Sequence, residues 1–438
     1  MSLLPDPASD PTAERAVLRK VTLRLVPYLM LCYFFAMLDR SNIGVASLQM
    51  NSRIGLSSAA YGLGGSLFFI AYFLFEVPSN LALERYGARR WLARIMISWG
   101  VACVALALTR GALSFYVLRF LLGAAEAGFF PGVVLYSTYW YPAKYRARII
   151  TAYSIANALA SFVGSPVSAA LLQADGFLGV QGWQWVFIAE GLPTVLLGFG
   201  CLWLLTDKPQ NAQWLSAPER GLLADRLAAD EGSGAPKIPV WKMLQNPYVW
   251  GLTLACSGAS ATLASLGVWQ PQLIKSFGVS SLQSGVINAV PYGVSTLLMM
   301  LWSQSSDRTG ERRWHTALPL LTIAAGFAAI LFTTGSLLIT VVLLTLIMVA
   351  YTSFKGPFWA FSSEILSPGM AAAAFAAING TSNLGSAGII WLVGVLEART
   401  HSLALAMAPL ILLSVLGAAT VLLMHRQKPK GLSVEFAR

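Results

Sequence analysis

The sequence predicts an all-α membrane protein: twelve transmembrane helices in two six-helix, pseudo-symmetric halves. Three observations lead there. Of 438 residues, 56% are hydrophobic and only 11% charged, with mean hydropathy +0.64, whereas soluble domains carry about 25% charged residues. Twelve apolar stretches approach the ~20 residues needed to cross the hydrocarbon core as a helix. One short polar segment is written twice, at equivalent places in the two halves.

Taken in order, residues 1–20 form a polar, proline-containing tail. It lacks the apolar core and small-residue cleavage site of a signal peptide, so the first span is expected to be retained. The N-terminal half, 21–205, holds stretches at 22–48, 59–83, 91–109, 113–139, 149–172 and 184–205. Residues 206–246 are the longest polar stretch and read as a linker, with a short amphipathic helix expected around Ala217–Ala229. The C-terminal half, 247–424, holds stretches at 248–274, 283–304, 314–334, 337–361, 371–396 and 402–424, followed by a tail over 425–438. The runs are continuous and long, which excludes the alternating strands of an outer-membrane barrel. Cys32, Cys103, Cys201 and Cys256 all fall inside spans and read as small packing residues. His315, His401 and His425 lie near span ends, and no metal-ligand spacing occurs.

The net charge of +11 is a topology signal and does not point to nucleic acid. With the N terminus cytoplasmic, the inner segments collect most cations, among them Arg15, Arg19, Arg85, Arg89, Arg90, Lys144, Arg146, Arg308 and Arg312. The other side has Arg53, Arg110, Lys275 and Arg399. The bias predicts that both termini are cytoplasmic.

The repeated segment supports the six-plus-six division. "ERYGARR" follows the second span and "DRTGERR" the eighth, 223 residues apart. In the first copy the pattern residues are Glu84, Arg85, Gly87 and Arg90; in the second they are Asp307, Arg308, Gly310 and Arg313. The acid is expected to accept from backbone at a neighbouring helix N terminus, the glycine to allow the tight turn, and the arginines to fix topology. Two parallel six-span halves are the mark of a transporter with a central site. The loop pair, the spans and the linker resemble the major facilitator superfamily over roughly residues 20–425. Asn80 and Glu84 depart from that family's loop, where Gly and Asp are usual.

Arg40, Arg119 and Lys355 remain inside spans, with Asp39 and Glu126 as acids to match; Glu76 and Glu190 also lie in apolar surroundings. Each such group costs at least ~2.5 kcal/mol at the bilayer centre and usually faces a cavity. Asp39 lies 14 residues after Leu25, ~21 Å along a helix and so near mid-membrane. Arg119 and Glu126, seven apart, share one helix face, with Gly123 between them leaving room for a neighbour or ligand. One reading is a structural ion network in which Arg40 and Arg119 neutralise Asp39 and Glu126. The other is proton coupling by the acids with anion binding by Arg40, whose planar fork holds a carboxylate through two hydrogen bonds.

"LDRSNIGVA", "RFLLGAAEAGFFPG", "YPAKYRAR", "WVFIAEGLPT" and "KGPFWA" further resemble the anion:cation symporter branch of that superfamily. The resemblance implies protonation at Asp39 and Glu126, a substrate carboxylate on Arg40, and polar contacts from Tyr72, Asn157 and Asn383. In the tenth span, Gly356-Pro357 is expected to break the helix. Phe358 and Trp359 either wall the cavity or pack, and Lys355 either pairs a second substrate carboxylate or an internal acid. The "GSP" at Gly164–Pro166 is similar to a drug-antiporter motif but is shared with importers.

The expected function is a proton-coupled symporter importing a small organic carboxylate (a hydroxy acid, sugar acid or aromatic acid) across a bacterial inner membrane. The alternative is an efflux antiporter for organic anions or drugs. No HExxH, GxSxG or intramembrane His–acid pair is present, so an enzyme is not expected. Protons are the expected coupling ion, with no cofactor, no metal and no nucleic-acid partner, and a monomer in the lipid bilayer.

Overall fold

The computed structural model describes residues 11–231, 243, 245–333, 335–366 and 368–424. All regular structure among them is helical. The N-terminal half comprises α1 (Pro11–Arg53), α2 (Ser58–Tyr86), α3 (Ala88–Leu106), α4 (Ala112–Glu126), α5 (Phe129–Thr138), α6 (Ala143–Leu171) and α7 (Gly182–Leu204). The linker holds α8 (Ala217–Glu231). The C-terminal half comprises α9 (Pro247–Lys275), α10 (Ser281–Thr309), α11 (Arg313–Phe332), α12 (Leu337–Ile365), α13 (Pro368–Thr400), α14 (Leu403–Ala406) and α15 (Ala408–Leu423).

Each of the twelve apolar stretches is therefore helical. Among the described residues nine helical spans are long and apolar enough to cross a membrane. α3, α6 and α13 are not among the nine; α3 carries Arg89, Arg90 and Arg94 within its 19 residues. The fourth stretch is two helices. Ala127 is extended (φ −53°, ψ 131°) and Gly128 is left-handed at φ 85°, a conformation that favours glycine, so the chain steps sideways immediately after Glu126.

The tenth stretch behaves in the opposite way. α12 runs unbroken from Leu337 to Ile365 through Gly356 and Pro357, so the expected break is absent. A single proline removes one backbone hydrogen bond, and neighbouring helices tolerate that in a packed membrane bundle.

α8 begins with a reciprocal cap. Ser216 N–H donates to the Glu219 carboxylate at 2.7 Å, and Glu219 N–H donates to Ser216 Oγ at 3.4 Å. The Ser216 N–H bond, helped by Lys20 Nζ at 3.1 Å, holds the Glu219 carboxyl below its usual range. The linker helix is thus tied to the start of α1.

The halves meet along α2 with α13, α6 with α10, and α1 with α9. Polar contacts between them cluster at the end of the bundle away from the arginine-rich loops. Tyr61 Oη lies 3.0 Å from Ile43 O and 3.1 Å from Val268 O, sharing one donor between halves. Gln272 Nε2 donates to Ser47 Oγ at 2.7 Å, Lys275 Nζ to Leu48 O at 2.7 Å, and Asn288 Nδ2 to Ser165 Oγ at 2.9 Å. Lys275, which the charge pattern marks only as a loop cation, is part of this seal.

At Gly44 the helices touch backbone to backbone: an added Cβ would lie 2.2 Å from Gly267 O. Gly44→Val is therefore expected to hold this end open in a folded protein. Ser47→Cys in that background should react rapidly with a thiol reagent in detergent, and slowly with Gly44 present. The four native cysteines are buried, so the introduced thiol carries the signal. Equal labelling rates in the two backgrounds would show that the seal does not depend on this contact.

Candidate functional site

The helix places Asp39 and Arg40 about 100° apart around α1, and that angle separates their roles. Arg40 turns towards the interface between the halves, where its Nε donates to Glu126 Oε1 across from α4. Its guanidinium lies 4.8 Å from the Tyr72 ring centre and 5.8 Å from that of Phe68, within range for a cation–π contact. The Arg40 side chain is 31% exposed and that of Glu126 only 2%. The arginine can thus reach a ligand, while its partner carboxylate stays covered.

Asp39 turns inward, into the N-terminal half, and is 1% exposed. It accepts from Thr194 Oγ1 at 3.1 Å, Cys103 Sγ at 3.4 Å and Asn42 Nδ2 at 3.5 Å. The structure does not bring Asp39 and Glu126 together. Nor does it place Arg119 on either acid: its Nε donates to Gly64 O at 3.3 Å, its guanidinium stacks 4.8 Å from the Phe68 ring centre, and Nη1 is buried without a partner. Gly123 lies between Arg119 and Glu126 as expected, and the room it leaves is filled by the Phe68 backbone of α2, 2.2 Å from where a Cβ would be.

On the opposite half, Lys355 of α12 is exposed, with Nζ 5.0 Å from the Tyr351 ring centre. Arg40 and Lys355 both act electrostatically on the hydroxyl of Tyr33, on α1. Both cations, one from each half, therefore lie near Tyr33. Phe358 is 1% exposed and stacks on Phe354, so it packs. Trp359 is half-buried, 4.9 Å from Phe358 and 4.8 Å from Phe375. Tyr72 is buried against Arg40, and Asn383 is half-buried on α13. Asn157 belongs to α6, but its side chain lies outside the described residues, as does His425.

The paired loops turn as expected at Gly87 (φ 87°) and Gly310 (φ 65°). Their acids do different work from that expected. Glu84 is exposed, and the carboxylate that accepts from the α3 N terminus is Asp207, at 2.8 Å from Arg89 N. In the second copy Asp307 accepts from Arg312 Nη1 at 2.7 Å, while Glu311 receives Trp314 N–H at 2.8 Å and His315 N–H at 3.1 Å. In the first copy the capping acid comes from beyond α7, and in the second from the helix side of the turn. Arg85, Arg90 and Arg308 are exposed and Arg313 half-buried.

Tyr33, Phe68 and Tyr351 belong to the cleft but are missed by a search for charges. Tyr33 was within reach of one, lying seven residues before Arg40 on the same face of α1.

A helical bundle with two halves sealed at one end, and ionisable groups on both sides of the cleft between them, defines a multi-pass membrane transporter. Residues 29–390 match the Major Facilitator Superfamily, and the chain belongs to that family. It is 45% identical over 421 residues, 95% of this chain and 96% of the relative, to a "Putative tartrate transporter" of Agrobacterium vitis. It is 36% identical to a "Quinolone resistance transporter" of Acinetobacter baumannii, covering 96% of this chain and 99% of that one. Among solved structures, the xylose transporter XylE from E. coli in a partially occluded inward open conformation superposes with a TM-score of 0.75. It covers 94% of this chain and 99% of that one at 15% identity, a likeness of fold alone. The family transports and does not catalyse, so the protein is not an enzyme.

Proposed function

We propose that the protein is a proton-coupled importer of a small organic carboxylate, with tartrate the first candidate, working by alternating access. The observation that carries the reading is Arg40: a partly exposed guanidinium in the cleft, stacked on Tyr72, held by an acid that can exchange it for a substrate carboxylate. In this reading Glu126 releases Arg40 on protonation, and the freed arginine takes the substrate. The arginine-rich end is cytoplasmic, the membrane is the bacterial inner membrane, and the working unit is a monomer without cofactor or metal. The division into 1–20, 21–205, 206–246, 247–424 and 425–438 belongs to the same proposal, with rocking between the halves. The name of the tartrate relative supports the substrate class. The test is uptake of labelled L-tartrate into proteoliposomes under an imposed inward proton gradient. Accumulation that collapses with the gradient is expected; gradient-independent equilibration would remove the coupling, and no uptake the substrate.

A second reading is proton-linked efflux of organic anions or drugs, favoured by the similarity to the quinolone resistance transporter. Reversing the imposed gradient in the same vesicles, with norfloxacin as the probe, separates the two.

Lys355 supplies a finer prediction. Cations on both halves suit a dicarboxylate, because each end finds a partner as the halves close. Lys355→Met is expected to impair uptake of L-tartrate more than that of a monohydroxy monocarboxylate such as lactate. Equal impairment would assign Lys355 to an internal acid, and no impairment would place it off the transport path.

A further inference from the structure

The N-terminal half carries a cleft of its own, of about 520 Å³, at its arginine-rich end. α1 contributes Arg24 to it, α3 Arg89 and α7 Trp203, and the segment that follows α7 contributes Asp207 and Trp214. Trp214 is fixed by two contacts. Its ring stacks 5.5 Å from that of buried Trp140, and its Nε1 donates to Thr206 Oγ1 at 3.3 Å. The Arg24 guanidinium lies on this platform, 5.0 Å from the Trp214 ring centre, within range for a cation–π contact. Arg89 is anchored by its Nε, which donates to Leu202 O at 2.6 Å and leaves the two Nη groups as donors.

Two guanidiniums facing one space call for a counter-charge, and the protein supplies little. Asp207 is the one acid among the lining residues, and its Oδ1 accepts from Arg89 N–H at 2.8 Å. Among the described residues neither Arg24 nor Arg89 forms an ion pair. The positive-inside bias accounts for arginines at this end of the bundle. It does not account for two in one cleft, one laid on an aromatic platform and the other tied to a backbone carbonyl.

The cleft adjoins the bilayer-facing side of α7. This helix packs chiefly on α3 and α1 of its own half. The face it leaves bare carries Leu192, Leu196, Phe199 and Trp203, all exposed and spaced along one side of the helix. Trp203, 77% exposed, ends this apolar stripe and also lines the cleft. Tryptophan at the end of a span sits at the level of the lipid headgroups. A molecule with an anionic head and an apolar tail fits both features, its phosphate on the arginines and its chain along the stripe.

We propose that this cleft binds an anionic phospholipid from the leaflet at the arginine-rich end. Its phosphate lies between Arg24 and Arg89, and an acyl chain passes Trp203 along α7. Arginine suits the role because its guanidinium stays charged and offers paired donors to phosphate oxygens, and basic pockets at this level of a membrane protein hold lipid headgroups. Exposed Asn211 and Gln213 on the same wall can meet headgroup hydroxyls, so a glycerol headgroup fits. A choline headgroup brings a cation that the two arginines repel. The bound lipid would join α1, α3, α7 and the start of the linker, steadying the N-terminal half as one body. The inference requires only that the bundle spans a membrane, and it stands apart from the substrate and coupling proposed above.

Native mass spectra of the full chain in detergent, titrated with phosphatidylglycerol or phosphatidylcholine, test the site. One phosphatidylglycerol is expected to bind about tenfold more tightly than phosphatidylcholine; equal binding of the two would overturn the proposal. Arg24→Gln combined with Arg89→Gln should abolish the preference. Arg85→Gln combined with Arg90→Gln neutralises two exposed cations of the same end that do not line the cleft, and should keep it. Equal loss in both double variants would make the effect one of overall charge and overturn the proposal. Should the first double variant fail to fold, Trp203→Ala changes only an exposed ring. It should weaken phosphatidylglycerol binding severalfold, and unchanged binding would overturn the proposal. Glycerol 3-phosphate carries the head without the chains and should bind about a hundredfold more weakly. If it binds as tightly as the lipid, the cleft is a site for soluble phosphate esters and the lipid assignment falls.

Discussion

Glu126→Gln is expected to abolish uphill uptake while substrate exchange persists. The amide has the shape of the protonated acid and cannot ionise, so it mimics one state of the cycle and forbids the other. In the native protein Arg40 is engaged by Glu126; in the variant the guanidinium loses its anion and becomes available to the substrate carboxylate at all times. Counterflow of L-tartrate should therefore survive. An inward gradient of one pH unit supplies ~1.4 kcal/mol per proton, which sustains a roughly tenfold concentration ratio for each proton carried in with the substrate. That ratio should fall to about one in Glu126→Gln vesicles. Asp39→Asn is expected to fail in uphill uptake as well, and the two failures have different origins: Glu126 faces Arg40 in the cleft, and Asp39 faces Asn42 behind it. Accumulation by both variants would remove the acids from the coupling path.

Arg40→Lys should weaken carboxylate binding by about ten- to a hundredfold, measured by titration calorimetry with L-tartrate. The charge is kept, but the planar fork is lost, along with the stacking over Tyr72 at 4.8 Å and the Nε bond to Glu126. Hydrogen bonds to charged groups contribute ~1.5–3 kcal/mol, which sets the range. Tyr72→Phe keeps the ring under the guanidinium and loses only a hydroxyl, so its effect should be smaller. An Arg40→Lys variant that binds as tightly as the native protein would show that Arg40 is not a substrate ligand.

Much of the architecture was legible because it follows from local chemistry. Hydrophobic runs of the right length become helices wherever backbone groups have no other partner. The linker helix was readable from its amphipathic pattern, and the loop glycines from the turns they must make. Two local expectations erred in opposite directions. Pro357 announces a break that the packed bundle absorbs, whereas the real break, at Ala127–Gly128, has as its signal a glycine in an otherwise apolar run. Proline costs one hydrogen bond and is tolerated; a left-handed residue redirects the chain.

The candidate site was legible as a set of residues and not as a set of partners. Ionisable residues in apolar runs stand out in any sequence, so Asp39, Arg40, Arg119, Glu126, Glu190 and Lys355 could be picked out by burial cost alone. Which charge meets which depends on helix rotation and on the neighbour that each face finds. Adjacent residues on a helix diverge by about 100°, so Asp39 and Arg40 had to part company. Only the packing of α1 against α6 and α7, and the reach of its side chains to α3 and α4, decided that Arg40 would meet Glu126, and that Asp39 would meet Thr194, Cys103 and Asn42. By itself the sequence determined how many times the chain turns back, where the repeat falls, and which residues are too costly to bury without a use. The tertiary structure decided the pairings, since electrostatic energy depends on distances of a few ångströms that separation along the chain does not contain.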